Sequence, residues 1–313
     1  MPSSVARMSK LVIATRQSAL ALWQARHVRD RLAAMYPSCA IELLGLTTQG
    51  DRSVDVPLAD IGGKGLFIKE LEQAMQDGRA DIAVHSLKDV PMLMPPGFTL
   101  AAMLEREDPR DALVCRDHPS LGALPPGSIV GTSSQRREAQ LRERHPSLVV
   151  MPMRGNVDTR VRRLDEGAYA AIILAAAGLK RLGRGDRITA MLDPDESLPA
   201  IGQGAICIEC LSARADVFQM IAALAHAPTT LAVVAERAFG LRLGGDCRTP
   251  IAAYAGAQDG MLRLRGLIAR RDGREVMRGE RTASASSREA AVELGEAVAA
   301  DFIARGAERV LAS

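Results

Sequence analysis

Aromatic residues are nearly missing from this 313-residue chain, which has one Trp, three Tyr and five Phe. Stacking platforms for bases need such rings, so a single-strand nucleic-acid binder is a poor fit. Lysine is equally scarce. Only five of the 40 basic residues are Lys, and the other 35 are Arg. Coding bias accounts for most of such a ratio, yet Arg also suits bidentate recognition of carboxylates and phosphates, so its placement matters. Long apolar runs are missing too. The longest, Ala168–Leu179, has 12 residues and ends at Lys180, too short to cross a bilayer. Cysteines stand at 39, 115, 207, 210 and 247, an odd and scattered set that suggests no disulfide framework. The first nine residues are polar and Leu11–Ala14 is shorter than a signal-peptide core, so a cytoplasmic location is expected. With 47% apolar and 25% charged residues and a net charge of +3, the composition is that of a globular chain long enough for two or three domains.

What is present is a repeated strand–helix grammar over the first 225 residues. Lys10–Thr15 reads as a strand, followed by Arg16-Gln17-Ser18 and a helix with Ala21, Ala25, Val28, Leu32 and Met35 on one face. Ser18 is in place to cap it. Asp81–Val84 is a strand ending in His85-Ser86-Leu87-Lys88-Asp89, and Ser128–Gly131 leads through Thr132-Ser133-Ser134 into a helix to about His145. Leu148–Met151 precedes Met153-Arg154-Gly155-Asn156 and a helical pattern through Asp165. Tyr169–Ala175 is a continuous apolar run, as in a strand buried on both faces. Such alternation predicts α/β units with largely parallel sheets, whose ligands bind beyond the carboxyl ends of the strands. From about Pro228 the grammar changes: Ile251–Ala255, Met261–Ala269 and Arg274–Glu280 read as strands joined by the turn signals Asp259-Gly260 and Asp272-Gly273. A final helix places Ala291, Leu294, Val298 and Phe302 on one face.

The polar clusters fall where ligands would be expected. A helix N-terminus with a Ser or Thr hydroxyl and an Arg is an anion site. Arg16/Ser18, Lys88, Thr132–Arg137 and Arg154–Arg160 are four such places. A capped helix with a surface Arg is the plainer reading of any one; together they point to a small polyanionic ligand. Asp89 is the carboxylate embedded in this set, either held ionised to stabilise a cation and move protons or a simple surface partner of Lys88. Gly62-Gly63-Lys64-Gly65 lacks phosphate-loop spacing and reads as a lid. Cys207 and Cys210 lie three apart in a strand and face opposite ways, and the five histidines lack ligand spacing, so no metal is expected. Cys247, between Arg242 and Arg248, is a candidate nucleophile or an ordinary loop thiol.

Together the segments IATRQSALALWQA, GGKGLFIKELE, ADIAVHSLKDVP, EREDPRDAL, VGTSSQRR, RGNVDTR, AIILAAAGLKRLG, LPAIGQGAICIEC and the GDC loop resemble the porphobilinogen deaminase (hydroxymethylbilane synthase) family in order and spacing. The resemblance implies an α/β fold of two type 2 periplasmic-binding-protein-like domains flanking a cleft, plus a small α+β C-terminal domain. Its domains would be 8–104 with 203–224, then 105–202, then 225–313. It implies a transferase that joins four porphobilinogen molecules head to tail, releasing ammonia each time, on a covalent dipyrromethane primer, and frees hydroxymethylbilane by hydrolysis. By the same resemblance Cys247 carries the primer through a thioether and Asp89 is catalytic. Ser18, Lys88, Thr132, Ser133, Ser134, Arg136, Arg137, Arg154 and Gly155 would hold the cofactor. Arg16, Lys64, Arg154, Arg160, Arg181 and Gln203 would meet substrate. A monomer without nucleic-acid or membrane partners is implied. Asp60 in the lid, Asp246 in Gly-Asp-Cys and Gln135 in GTSSQRR depart from the commoner family pattern.

Overall fold

Short apolar runs bounded by polar clusters become strands, and the 3.6-residue patterns between them become helices. In the computed structural model, residues 8–52, 67–245 and 249–312 are described. In chain order the elements begin with β1 (Lys10–Arg16), α1 (Ala19–Met35), β2 (Ala40–Leu46), α2 (Gln49–Arg52), α3 (Lys69–Gln76), β3 (Ile82–Ser86) and β4 (Phe98–Met103). Next come β5 (Asp111–Cys115), β6 (Ile129–Gly131), α4 (Gln135–Arg144), β7 (Val149–Met151), α5 (Val157–Asp165), β8 (Ala171–Ala175), α6 (Ala176–Arg181) and β9 (Ala190–Met191). The rest are β10 (Ile206–Leu211), α7 (Ala215–Ala222), α8 (Ala227–Arg242), β11 (Ile251–Gln258), β12 (Met261–Ala269), β13 (Val276–Ala283), α9 (Arg288–Ala304) and α10 (Ala307–Leu311). Among the described residues no single helix is long and apolar enough to cross a membrane.

Two five-stranded sheets repeat one order, β2-β1-β3-β10-β4 and β7-β6-β8-β5-β9, and β11-β12-β13 form a third. The first three strands of each large sheet run parallel, and the fourth, β10 or β5, is antiparallel to its neighbours. β5 is the first strand after the chain leaves one unit and β10 the first after it returns, so each unit's sheet is completed by a crossover strand. The α/β class read from the sequence is present, with a separate C-terminal sheet.

The chain divides into two compact units, Met1–Arg106 with Ala205–Thr230, and Glu107–Gly204 with Leu231–Ser313. In the first unit Leu11, Ile13, Val28, Leu32, Ile82, Val84 and Ile208 share one core between sheet and helices. In the second, β8 is buried on both faces: Ala171 and Ile173 enter one cluster, Ile172 and Leu174 another, as expected of a central strand. The C-terminal sheet belongs to this unit because α4 supports it. Ala139 packs with Ala252, Leu267 and Ala269, and Glu143 pairs with Arg278. Gly273, at φ +74°, lies so near that a Cβ would come 2.7 Å from the Ala139 carbonyl oxygen.

The turn chemistry is local. Asp259 and Gly260 take φ of 50° and 75°, the two positive values that a tight hairpin needs, and Gln258 pairs with Met261 across it. β13 begins at Val276 rather than Arg274, because the Arg274 amide donates to the Asp272 carboxylate (3.0 Å) and stays in the turn.

Candidate functional site

In the first unit, β1 ends at Arg16 and α1 starts after Ser18, whose hydroxyl accepts from the Ala21 amide (3.4 Å) as a helix cap. Beside it, β3 ends at Ser86 and runs into a single turn, Leu87–Asp89. Parallel neighbours β1 and β3 finish at the same sheet edge, so Arg16, Ser18, Ser86 and Asp89 line one pocket with Gln24, Phe67 and His85. The pocket's volume is about 60 Å³. Asp89 is exposed there, while Lys88 is half-buried.

Arg16 has a counter-ion of its own. Its guanidinium pairs with Asp51 and lies 4.2 Å from the Phe67 ring centroid, a cation–π distance. The Thr48 hydroxyl donates to the same carboxylate at 2.7 Å. These bonds and the nearby cation outweigh desolvation and hold the Asp51 carboxyl below its usual range. On the pocket floor, Gln24 donates to the Ser86 hydroxyl (2.8 Å), and His85 Nε2 is 2.9 Å from Glu209 Oε2, both buried.

In the second unit, β6 leads through Thr132-Ser133-Ser134 into α4. Ser133 is used internally, donating to the Met153 carbonyl (2.8 Å) and accepting from its amide (3.0 Å). The Ser134 amide donates to the buried Thr132 hydroxyl (3.2 Å). α4 starts without a side-chain cap.

Arg136 and Arg137, expected to meet ligand carboxylates, both pair with Asp111. Both guanidinium groups are buried. Arg136 Nη1 is 2.8 Å from one carboxylate oxygen, and Arg137 Nη2 is 2.7 Å from the other. Ser197 donates to Asp111 at 2.7 Å and Gln203 at 2.9 Å. Gln203 also donates to the Pro109 carbonyl at 2.7 Å. Burial alone would raise the Asp111 carboxyl's pKa, but the two arginines hold it far below the usual range. β5 delivers this fully buried carboxylate under the α4 N-terminus. A buried carboxylate takes the nearest cations.

Elsewhere in this unit, Gly155 has φ +108°, and a Cβ would come 2.8 Å from Thr159 Cγ2, so only glycine fits the turn. Asn156 caps α5 by accepting from the Thr159 amide (2.9 Å). Arg160 Nε donates to the Gly155 carbonyl (2.9 Å). Arg154 is half-buried in the same turn, and its carbonyl accepts from Arg163. Arg181 donates to the Gly204 carbonyl (2.7 Å), and burial pulls it down to about 10. Lys64, Asp60, Asp246 and Cys247 lie outside the described residues. Among the described residues no group of three His, Cys, Asp or Glu could hold a metal ion.

Family models match nearly the whole chain: "Porphobilinogen deaminase, dipyromethane cofactor binding domain" over residues 11–219 and "Porphobilinogen deaminase, C-terminal domain" over 230–304. The chain belongs to the porphobilinogen deaminase family. The porphobilinogen deaminase of Paraburkholderia phymatum is 58% identical over 297 residues, covering 95% of this chain and 91% of that one. That of Bordetella parapertussis is 56% identical over 98% of this chain and 97% of its own. That of Ralstonia nicotianae is 56% identical over 100% and 94%.

The second unit fits the polycarboxylate cofactor named in the porphobilinogen deaminase model. The ten-residue helix α4 offers uncapped amides, and Arg136 Nε is buried with no acceptor among the described residues. Both suit a carboxylate. Sequence reasoning missed Asp51, Phe67, Asp111 and Glu209, which contact the expected site residues or line their pocket. All but Asp51 sit inside the segments that carry the resemblance, which was the available signal.

Proposed function

We propose that Asp89, in the first unit's pocket, carries the condensation by which the porphobilinogen deaminase family joins four porphobilinogen molecules head to tail and frees hydroxymethylbilane. The chain is a transferase of tetrapyrrole biosynthesis. The observation that carries the reading is the meeting of Asp89 with Arg16 and Ser18 at one pocket. Loss of ammonia leaves an electron-poor azafulvenium on the substrate, and a fixed carboxylate stabilises that cation. When the pyrrole α-carbon of the growing chain has attacked, its proton must leave, and Asp89 is placed to accept it.

The dipyrromethane supplies the first α-carbon for coupling. Cys247 would hold it through a thioether, and Ser18, Lys88, Thr132, Ser134, Arg136, Arg154 and Gly155 would bind it. Ser133 and Arg137 serve by fixing the 132–137 loop, the first on Met153 and the second on Asp111. Arg16, Lys64, Arg160 and Arg181 meet substrate carboxylates, and Gln203 acts through Asp111. Each pyrrole brings two carboxylates, and one opposite charge at ~4 Å is worth ~4 kcal/mol at an effective dielectric near 20, before desolvation. Arg16 would exchange Asp51 for a substrate carboxylate. The same proposal keeps a third domain at 225–313, supported by the separate sheet and the second family model, and a cytoplasmic monomer without nucleic-acid or membrane partners.

The test is Asp89→Asn, assayed for porphobilinogen consumption and for primer by intact mass. Turnover should nearly vanish while the primer mass remains. Near-normal activity would refute the role given to Asp89.

A further inference from the structure

Behind the pocket lies a buried acidic pair that the condensation step does not use. β10 pairs antiparallel with β3, so that Cys207 stands opposite His85 and Glu209 opposite Ala83. His85 and Glu209 therefore project from the same face, and their side chains meet at 2.9 Å. Glu72 comes to that face from α3 and lies within hydrogen-bonding reach of Glu209. Glu72 is 8% exposed and Glu209 fully buried. Glu72 Oε1 and Glu209 Oε1 are buried, and no described residue donates to either. Two neighbouring buried carboxyl groups, each with an oxygen that lacks a donor, are satisfied when one proton is shared between them.

We propose that Glu72 and Glu209 share one proton behind the pocket and, through His85, act as positioning residues for the condensation site. This rests on placing that site at the first unit's pocket. His85 is among the residues that line the pocket, and its ring is tied to Glu209. Its strand continues directly into the turn that carries Asp89. While the proton is shared, Glu209 presents one fixed oxygen to His85. Loss of the proton sets two carboxylates side by side, and their repulsion frees the ring from a single orientation.

The surroundings favour the shared proton near neutrality. Burial first, and then the charge of Glu209, push the Glu72 carboxyl up to about 7, against the pull of Lys69 on its own helix. Glu70, also on α3, accepts from the Gln49 amide. From β10 the facing groups are Glu209 and Cys207, while Cys210 projects to the other face, its thiol pushed up to about 11 by burial and by Glu209. From β3 the group is His85. On β1 the ionisable residues are Lys10, paired with Glu42, and Arg16, paired with Asp51.

Infrared titration of the intact, primer-loaded protein tests the pair directly. A protonated carboxyl band should disappear near pH 7 and be missing from Glu72→Gln. In parallel, kcat of the parent should fall about tenfold from pH 6 to pH 8, as the protonated fraction does around such a pKa. Glu72→Gln, which keeps a donor toward Glu209, should lose that inflection, whereas Glu72→Ala should be slower at every pH. Three results would overturn the proposal: no titrating band in the parent, the same inflection in Glu72→Gln, or equal impairment of Gln and Ala variants throughout. Full turnover by Asp89→Asn with the band intact would instead remove the site reading on which the positioning role rests.

Discussion

Asp111→Asn isolates the strongest electrostatic commitment in the second unit. The native carboxylate receives six donors: two from Arg136, two from Arg137, and one each from Ser197 and Gln203. Asparagine keeps the shape and removes the charge, leaving two buried guanidinium groups without a counter-ion and facing each other's charge. Removing one partner of a buried ion pair costs about 3–5 kcal/mol. Here two cations lose the same partner, so the upper end, about 5 kcal/mol, is expected. Whole domains are stable by only about 5–15 kcal/mol, so the variant should be near the limit of folding.

The assay must report on the correct unit. Trp23, the chain's one tryptophan, lies in the first unit, so its fluorescence follows the wrong half. Hydrogen exchange of peptides from residues 107–204 under increasing urea reports on the second. A loss under about 1 kcal/mol would refute the reasoning, since it would mean that the guanidinium groups are solvated or repaired at little cost. If the charge imbalance is the cause, replacing Asp111, Arg136 and Arg137 together by apolar residues of similar volume should recover stability. Acid gives an independent handle. The carboxyl's pKa is lowered in the folded chain. Its contribution is therefore present above the unfolded carboxylate pKa of about 4 and declines as pH falls below it, where only the unfolded chain takes up the proton.

Glu72 has the opposite sign. Its folded pKa, about 7, lies above the ordinary 4.5, so its contribution is complete below pH 4.5 and is lost as pH rises through 7. The parent should lose up to about 3 kcal/mol over that window, and urea midpoints of Glu72→Gln should lack that slope. Gly155→Ala should lower stability by about 1–3 kcal/mol through forced backbone strain, and primer retention, read by intact mass, should fall with it; an unchanged melting temperature would contradict the φ argument. Cys247→Ser should give protein of unmodified mass and no turnover. Unmodified Cys247 in active parent protein would remove the thioether assignment.

The sequence was most legible where chemistry is local. Ser18 as a cap, Asp259-Gly260 as a hairpin and the buried run of β8 follow from short-range rules about hydroxyls, positive φ and two-sided burial. Pairings between distant segments were not legible. Asp111 stands 25 and 26 positions before its arginines, and Asp51 stands 35 after Arg16; nothing in local spacing joins them. That matters for the anion reading. Arginines at strand ends suggested free cations awaiting a ligand, yet Arg136, Arg137 and Arg16 already have carboxylate partners of two kinds. Asp111 is fully buried and clamped by six donors, so its arginines cannot leave it without the cost worked out above. Asp51 is only partly buried, with side-chain exposure near 22%, so its pair with Arg16 costs less to break than the fully buried Asp111 clamp. An incoming carboxylate can displace Asp51 but not Asp111. Arg136 and Arg137 therefore build the frame, with Arg136 Nε left over for a ligand carboxylate, while Arg16, with a less firmly held partner beside Asp89, is a whole cation that binding can recruit.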